Sequence, residues 1–228
     1  MELRKLGFWR RCGIGIVKTG TMALTRRTWS GRANIPQAGG FIVAANHLSE
    51  FDPLVLAHFV LDAGRWPCFL TKSSLFDIPA LGPFLRELRQ IPVYRGTAAA
   101  AAALDAAAEA INAGRCVVVY PEGTTPKEGD LWPRTGKTGV ARLFLTTEAP
   151  VIPVVTWGSQ QVFDPRTRKW RLRPGTPVTV VAGPPLDLSA WTGARPTAAN
   201  LRAITDDIMA ALTDLMAEVR PDLQRTQR

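Results

Sequence analysis

Apolar positions along this chain fall in short, dense runs with turn residues between them. Residues 41–45, 68–71, 91–94, 116–120 and 151–156 are dominated by Val, Ile, Leu, Phe and Ala, with little polar alternation. Runs of that length predict strands covered on both faces, as in a parallel sheet. Between them the spacing turns helical. Asp52-Pro53 opens a helix through about Leu61, with Asp52 as a possible N-cap and Pro53 at the first helical position. The alanine-rich residues 97–113 precede Gly114 and predict a helix with its stop signal. Residues 137–147 predict another helix. Residues 169–182 hold further strand candidates, the best at 178–181. Leu201, Ile204, Ile208, Leu212, Leu215 and Val219 mark an amphipathic helix ending before Pro221. Strand–helix alternation predicts a single α/β domain with a mostly parallel central sheet flanked by helices.

The first 30 residues follow another pattern. Leu6, Trp9, Cys12 or Gly13, Ile16 and Val17 keep helical spacing, and cations are interleaved from residue 3 to 29. Of the chain's formal charge of +9, the first 35 residues carry +7. A basic amphipathic helix of this kind packs on its own domain or lies on an anionic membrane surface. At such a surface each cation is worth about 1 kcal/mol. The membrane alternative is favoured here. It divides the chain into a basic docking segment, residues 1–35, and the α/β domain, residues 36–228. No run of 18 apolar residues predicts a membrane-crossing helix. Lys18, Thr19 and Thr21 interrupt the apolar stretch, so a secretory signal peptide is not expected. Cys12, Cys68 and Cys116 lack the spacing of a disulfide framework or a zinc site, which suits a cytosolic chain.

Two segments carry candidate chemistry. His47 directly follows the 41–45 strand, at a strand-to-helix junction, and Asp52 stands five residues on. A carboxylate bonded to one imidazole nitrogen leaves the other as a base. On spacing alone, Asp52 is equally a plain N-cap and His47 a loop residue. His58, inside a predicted helix, is assigned no role. The second segment is Tyr120-Pro-Glu-Gly-Thr-Thr, where Glu122 is a site carboxylate or a loop-bracing acceptor. Gly136-Lys137-Thr138 looks like the tail of a phosphate-binding P-loop, but Leu131 stands where that motif needs glycine. Lys137 at a helix start still suits an anion. No GxSxG elbow, HExxH or Cys/His cluster occurs, so no metal is expected.

Together these segments resemble the glycerolipid acyltransferase family, in particular bacterial 1-acylglycerol-3-phosphate acyltransferases. Asn46, His47 and Asp52 match its first block. Lys72, Ser74-Leu75-Phe76, Pro79, Gly82 and Phe84, closing with residues 91–95, match its second. Residues 120–124 match the third, and residues 151–154 the fourth. The resemblance implies acyl transfer from acyl-CoA or acyl carrier protein, as co-substrate, to the hydroxyl of lysophosphatidic acid or a related lyso-glycerolipid. His47 would be the general base and Asp52 its orienting carboxylate. Lys72, Arg95, Glu122, Gly123 and Thr124 would bind the acceptor. It also implies phospholipid synthesis at the cytoplasmic face of the cell membrane, with peripheral attachment and no resident cofactor. One departure stands out. The third block usually continues with Arg, and here residue 125 is Thr. Arg134 and Lys137 are the alternatives for the missing charge. Other acceptors, a thioesterase or lipid hydrolase using the same dyad, and a basic lipid- or nucleic-acid-binding module are the competing classes. No motif of nucleic-acid recognition supports the last, and no nucleic-acid partner is expected.

Overall fold

The computed structural model describes residues 7–94, 99–125 and 131–221. After an opening helix α1 (Phe8–Leu24), the strands of the chain are β1 (Thr25–Ser30), β2 (Phe41–Ala45), β3 (Pro67–Lys72), β4 (Ile91–Val93), β5 (Cys116–Val119), β6 (Val151–Trp157), β7 (Phe163–Asp164), β8 (Lys169–Trp170) and β9 (Thr176–Ala182). Among the described residues, seven of these form one sheet in the order β1-β9-β6-β2-β5-β3-β4, and β7 and β8 pair as a small hairpin. The five strands from β6 to β4 are mutually parallel. β9 runs antiparallel to β6 and carries β1 parallel to itself. The sheet is mostly parallel, as expected.

The dense apolar runs are explained by cover on both faces. Ile42, Ala44, Val117, Val119, Val151 and Val155 share one core with α4 (Ala99–Asn112), α5 (Gly139–Thr147) and α6 (Ala198–Val219). Their neighbours Phe41, Val43, Ala45, Val118, Ile152 and Val154 face the other way, onto α2 (Asp52–Asp62). Successive strand residues point to opposite faces, so both must be apolar. Burying each large side chain of this kind is worth about 1.5–3 kcal/mol.

The N-terminal expectation needs correction. Within the basic stretch of residues 3–29, helix α1 stops at Leu24. Thr25 Oγ1 donates to the Thr21 carbonyl at the helix end, and residues 25–30 then pair with β9 along six positions. Cations at Arg26 and Arg27 made this stretch look like helix surface. They belong to an edge strand, where charge discourages pairing with foreign strands. Residues 25–30 are therefore part of the central sheet, not of a segment standing apart.

α1 is fastened to α2 and to α3 (Leu81–Glu87) by part of the charge that made it look membrane-seeking. Lys18 Nζ lies 2.6 Å from Asp62 Oδ1, and Arg10 Nε donates to the Glu87 carbonyl. Thr21 Oγ1 lies 2.5 Å from His58 Nδ1, and Asp62 lies 3.4 Å from His58 Nε2. Burial holds His58 below the ordinary histidine value, with Asp62 opposing. His58 is thus a packed residue joining two helices.

Candidate active site

The site gathers where β2, β3 and β5 end at the same edge of the sheet. Asn46 prolongs β2 with its side chain. Its Nδ2 donates to the Thr156 carbonyl (3.0 Å), and its Oδ1 accepts the Thr156 N–H (2.7 Å). This pins the chain as it leaves the sheet and fixes where His47 emerges.

Asp52 is fully buried. It is not the N-cap of α2, a place taken by Phe51. It folds back instead. Oδ2 accepts the backbone N–H groups of Leu48 (2.6 Å) and Ser49 (2.8 Å) and the imidazole Nδ1–H of His47 (2.9 Å). Oδ1 accepts the hydroxyl of Ser159. Four donors compensate the carboxylate for the water it has lost. In the neutral ring, a proton on Nδ1 facing this acceptor leaves Nε2 with the lone pair.

The ring and backbone of His47 are held as well. The imidazole stacks on Tyr120, with ring centroids 4.1 Å apart and planes at 16°. Phe69 stacks on Tyr120 in turn. Burial, with the Asp52 charge adding to it, pushes the Tyr120 phenol well above its ordinary value, so it stays neutral. Glu122 Oε1 accepts the His47 N–H at 3.1 Å. Burial raises the Glu122 carboxyl, while N–H groups of His47 and Arg134 pull it back. Of the two roles open to Glu122, loop bracing is the one its contacts serve.

Gly123 has a φ of +70°, and a Cβ there would stand 2.9 Å from Lys137 Nζ. The lysine therefore lies along the glycine. Its backbone N–H is fixed to the Pro121 carbonyl at 2.8 Å. Helix α5 begins two residues later than expected, so Lys137 precedes it as an exposed side chain. His47, Lys72, Gly123, Thr124, Thr125 and Lys137 all line one cavity of about 1050 Å³. Much of its lining is apolar, with Val17, Ala57, Leu61, Leu88 and Leu104. Arg95, expected at the acceptor, lies outside the described residues.

Three contributors were missed by the sequence reading. Ser159 braces Asp52 from 107 residues away, and no local spacing signals it. Tyr120 was noted only as part of a block, and its stacking on His47 needs the β2–β5 pairing. The hairpin of β7 and β8 brings Arg168 and Trp170 to the same cavity.

A mostly parallel α/β sheet with a histidine–aspartate pair at its strand ends defines a class, and residues 26–157 match the family model described as Acyltransferase. The chain belongs to that family. It is 29% identical over 160 residues to a 1-acyl-sn-glycerol-3-phosphate acyltransferase of Borreliella burgdorferi, covering 70% of this chain and 57% of that protein. It is 23% identical over 184 residues to the Bacillus subtilis protein of the same name, covering 81% and 85%. The crystal structure of the 1-acyl-sn-glycerophosphate acyltransferase PlsC from Thermotoga maritima superposes with a TM-score of 0.69 at 26% identity, covering 91% of this chain and 79% of that one. The chain thus spans little more than half the length of the Borreliella relative.

Proposed function

We propose that this chain transfers a fatty acyl group from the thioester of acyl-CoA or acyl carrier protein to the free hydroxyl of lysophosphatidic acid or a related lyso-glycerolipid. The observation that carries this reading is the His47–Asp52 hydrogen bond at the wall of a large, mainly apolar cavity that also holds Lys72 and Lys137. His47 Nε2 takes the acceptor's hydroxyl proton as that oxygen attacks the thioester carbonyl carbon. The tetrahedral intermediate collapses, the carbon–sulfur bond breaks, and the imidazolium returns the proton to the departing thiolate. Thioester and alcohol become ester and thiol, with no acyl-enzyme. General-base help of this kind is worth about 10²–10⁴ in rate. The carboxylate of Asp52 stabilises the transient imidazolium.

The deciding assay offers one labelled acyl-CoA to a panel of lyso-glycerolipids and to water alone. Ester formed on the glycerophosphate acceptors supports the proposal. Thioester cleavage that needs no acceptor would overturn it in favour of a thioesterase.

The acceptor's phosphate needs cations, and Thr125 leaves one place without the family's arginine. In our reading Lys137, lying along Gly123, supplies that charge, with Lys72 and the Glu122–Thr124 loop around it. A charge-assisted hydrogen bond is worth about 1.5–3 kcal/mol. Lys137→Ala is therefore expected to raise the acceptor KM about tenfold or more, with the acyl-CoA KM unchanged. Equal acceptor kinetics in the two proteins would remove Lys137 from the site.

We further propose peripheral attachment at the cytoplasmic face of the membrane through α1. Among the described residues, no helix is long and apolar enough to cross a membrane. Phe8, Trp9, Ile16 and Met22 are each more than half exposed, and 3.6 residues per turn puts them in one outward sector. The inward residue Val17 lines the cavity. A truncation through residue 27 would also cut into β1, so substitution is the cleaner test. Phe8→Ser/Ile16→Ser/Met22→Ser is expected to weaken sedimentation with anionic vesicles about tenfold at unchanged melting temperature. Unchanged sedimentation would leave α1 a structural helix only.

A further inference from the structure

One neighbouring segment holds residues 49–52, which follow His47. Ser49 Oγ donates to the Phe163 carbonyl at 2.7 Å. Glu50 pairs with Arg168 at 3.6 Å. The Phe51 ring meets the Trp170 edge, with centroids 6.1 Å apart, and Asp52 takes the Ser159 hydroxyl. Residues 159–170 thus touch every position from 49 to 52. The segment ends in the β7–β8 hairpin, which lies beyond the family match.

That hairpin has an unusual surface. Residues 166–173 carry five cations and no acid, and all eight are exposed. Trp170 is 54% exposed, yet its ring is braced by Phe163, with centroids 4.8 Å apart. Trp170 and Arg168 line the same cavity as His47. The turn is built by Asp164, whose Oδ1 accepts the N–H groups of Arg166 and Thr167. Arg168 sits at a φ of +54°, a conformation in which glycine would be the easy residue. The chain keeps arginine there, its guanidinium in a solvent-exposed ion pair with Glu50, an interaction of little strength.

We infer that the β7–β8 hairpin binds the nucleotide end of the acyl donor, the phosphates and adenine of a CoA thioester. This rests on the acyl-transfer reading given above. Reaction requires the thioester beside His47, and the pantetheine arm then leads the phosphates away along the cavity wall. The wall offers Trp170 as a flat, braced platform for a purine and Arg168 for a phosphate, and Arg166, Lys169 and Arg173 add exposed positive charge on the same hairpin. An acidic carrier protein would use the cations alone, whereas a nucleotide would also use the cavity-lining part of the indole. A bilayer meets its apolar residues on α1, whereas this hairpin grips the catalytic loop.

The test uses the full chain in neutral detergent micelles. Titration calorimetry with CoA itself reads binding without turnover. Steady-state kinetics compare acyl-CoA with acyl-pantetheine, which lacks the nucleotide. Trp170→Ala and Arg168→Gly/Lys169→Ala are the variants, the glycine chosen because it suits the positive φ. We expect each to weaken CoA binding at least tenfold and to raise the acyl-CoA KM similarly. The loss of turnover should be at least fivefold greater on acyl-CoA than on acyl-pantetheine, and the acceptor KM should stay within twofold. Unchanged CoA binding overturns the inference, as does an equal loss on both donors, which would make the hairpin a prop for the loop. A loss confined to acyl carrier protein overturns it in favour of a protein donor. CoA bound through the hairpin with no lyso-glycerolipid acylated would instead sink the acyl-transfer reading and leave this one standing.

Discussion

Replacing His47 by alanine is expected to lower kcat about 10³-fold or more, within reach of what a positioned general base contributes, while the KM for either substrate moves less than threefold. The asymmetry follows from the geometry. The imidazole is bonded to Asp52 and stacked on Tyr120, so both protein-facing contacts serve its orientation. In our mechanism what it offers the substrate is one lone pair, used as the hydroxyl proton departs. An interaction made chiefly in the transition state appears in kcat, not in KM. The fold should survive. Asp52 keeps the donors from Leu48, Ser49 and Ser159, and the imidazole itself is partly open, with 14% of its side chain exposed. The measurement is kcat and KM for acyl-CoA and lysophosphatidic acid, beside circular dichroism. A variant that turns over within tenfold of the parent would show that the proton is removed elsewhere.

Much of this arrangement was legible in the chain, and the reasons differ from residue to residue. The parallel strands announced themselves because a strand covered on both faces has no polar side, and residues 41–45, 116–119 and 151–155 are apolar throughout. The edge strand β1 was hidden for the converse reason. One side of it meets solvent, so Arg26, Arg27 and Thr28 dilute the pattern until it resembles the polar face of a helix. The meeting of His47 and Asp52 needed only local geometry, five residues folding around a helix start. Ser159 and Trp170 meet that loop through contacts spanning more than 100 residues, which only the completed sheet brings about. Lys137 sits between these cases. Its cation was visible, but its closeness to Gly123 depends on the backbone bond to Pro121 and on a positive φ that only the glycine tolerates cheaply.

Asp52→Asn and Asp52→Ala are expected to part company, and the comparison separates the charge of this residue from its structural work. In the Asp52→Asn variant the side-chain amide can keep its oxygen at the position that accepts from Leu48, Ser49 and His47. Its NH₂ can turn toward the Ser159 hydroxyl, which is able to accept. The loop therefore stays satisfied, and the melting temperature should fall by only a few degrees. What disappears is the negative charge facing Nδ1 of His47. The imidazolium formed on proton removal loses its stabilisation, and kcat should drop about 10²–10⁴-fold, the range available to acid–base assistance. Alanine removes the acceptor altogether and strands the buried N–H groups of Leu48 and Ser49. Each orphaned donor costs about 1–3 kcal/mol, so Asp52→Ala should be both inactive and clearly less stable. Thermal unfolding and single-turnover kinetics on the two variants together make the test. If the asparagine variant worked as fast as the parent while the alanine variant failed, Asp52 would be a loop brace and nothing more, and the stabilisation of the imidazolium would have to come from another charge near the cavity.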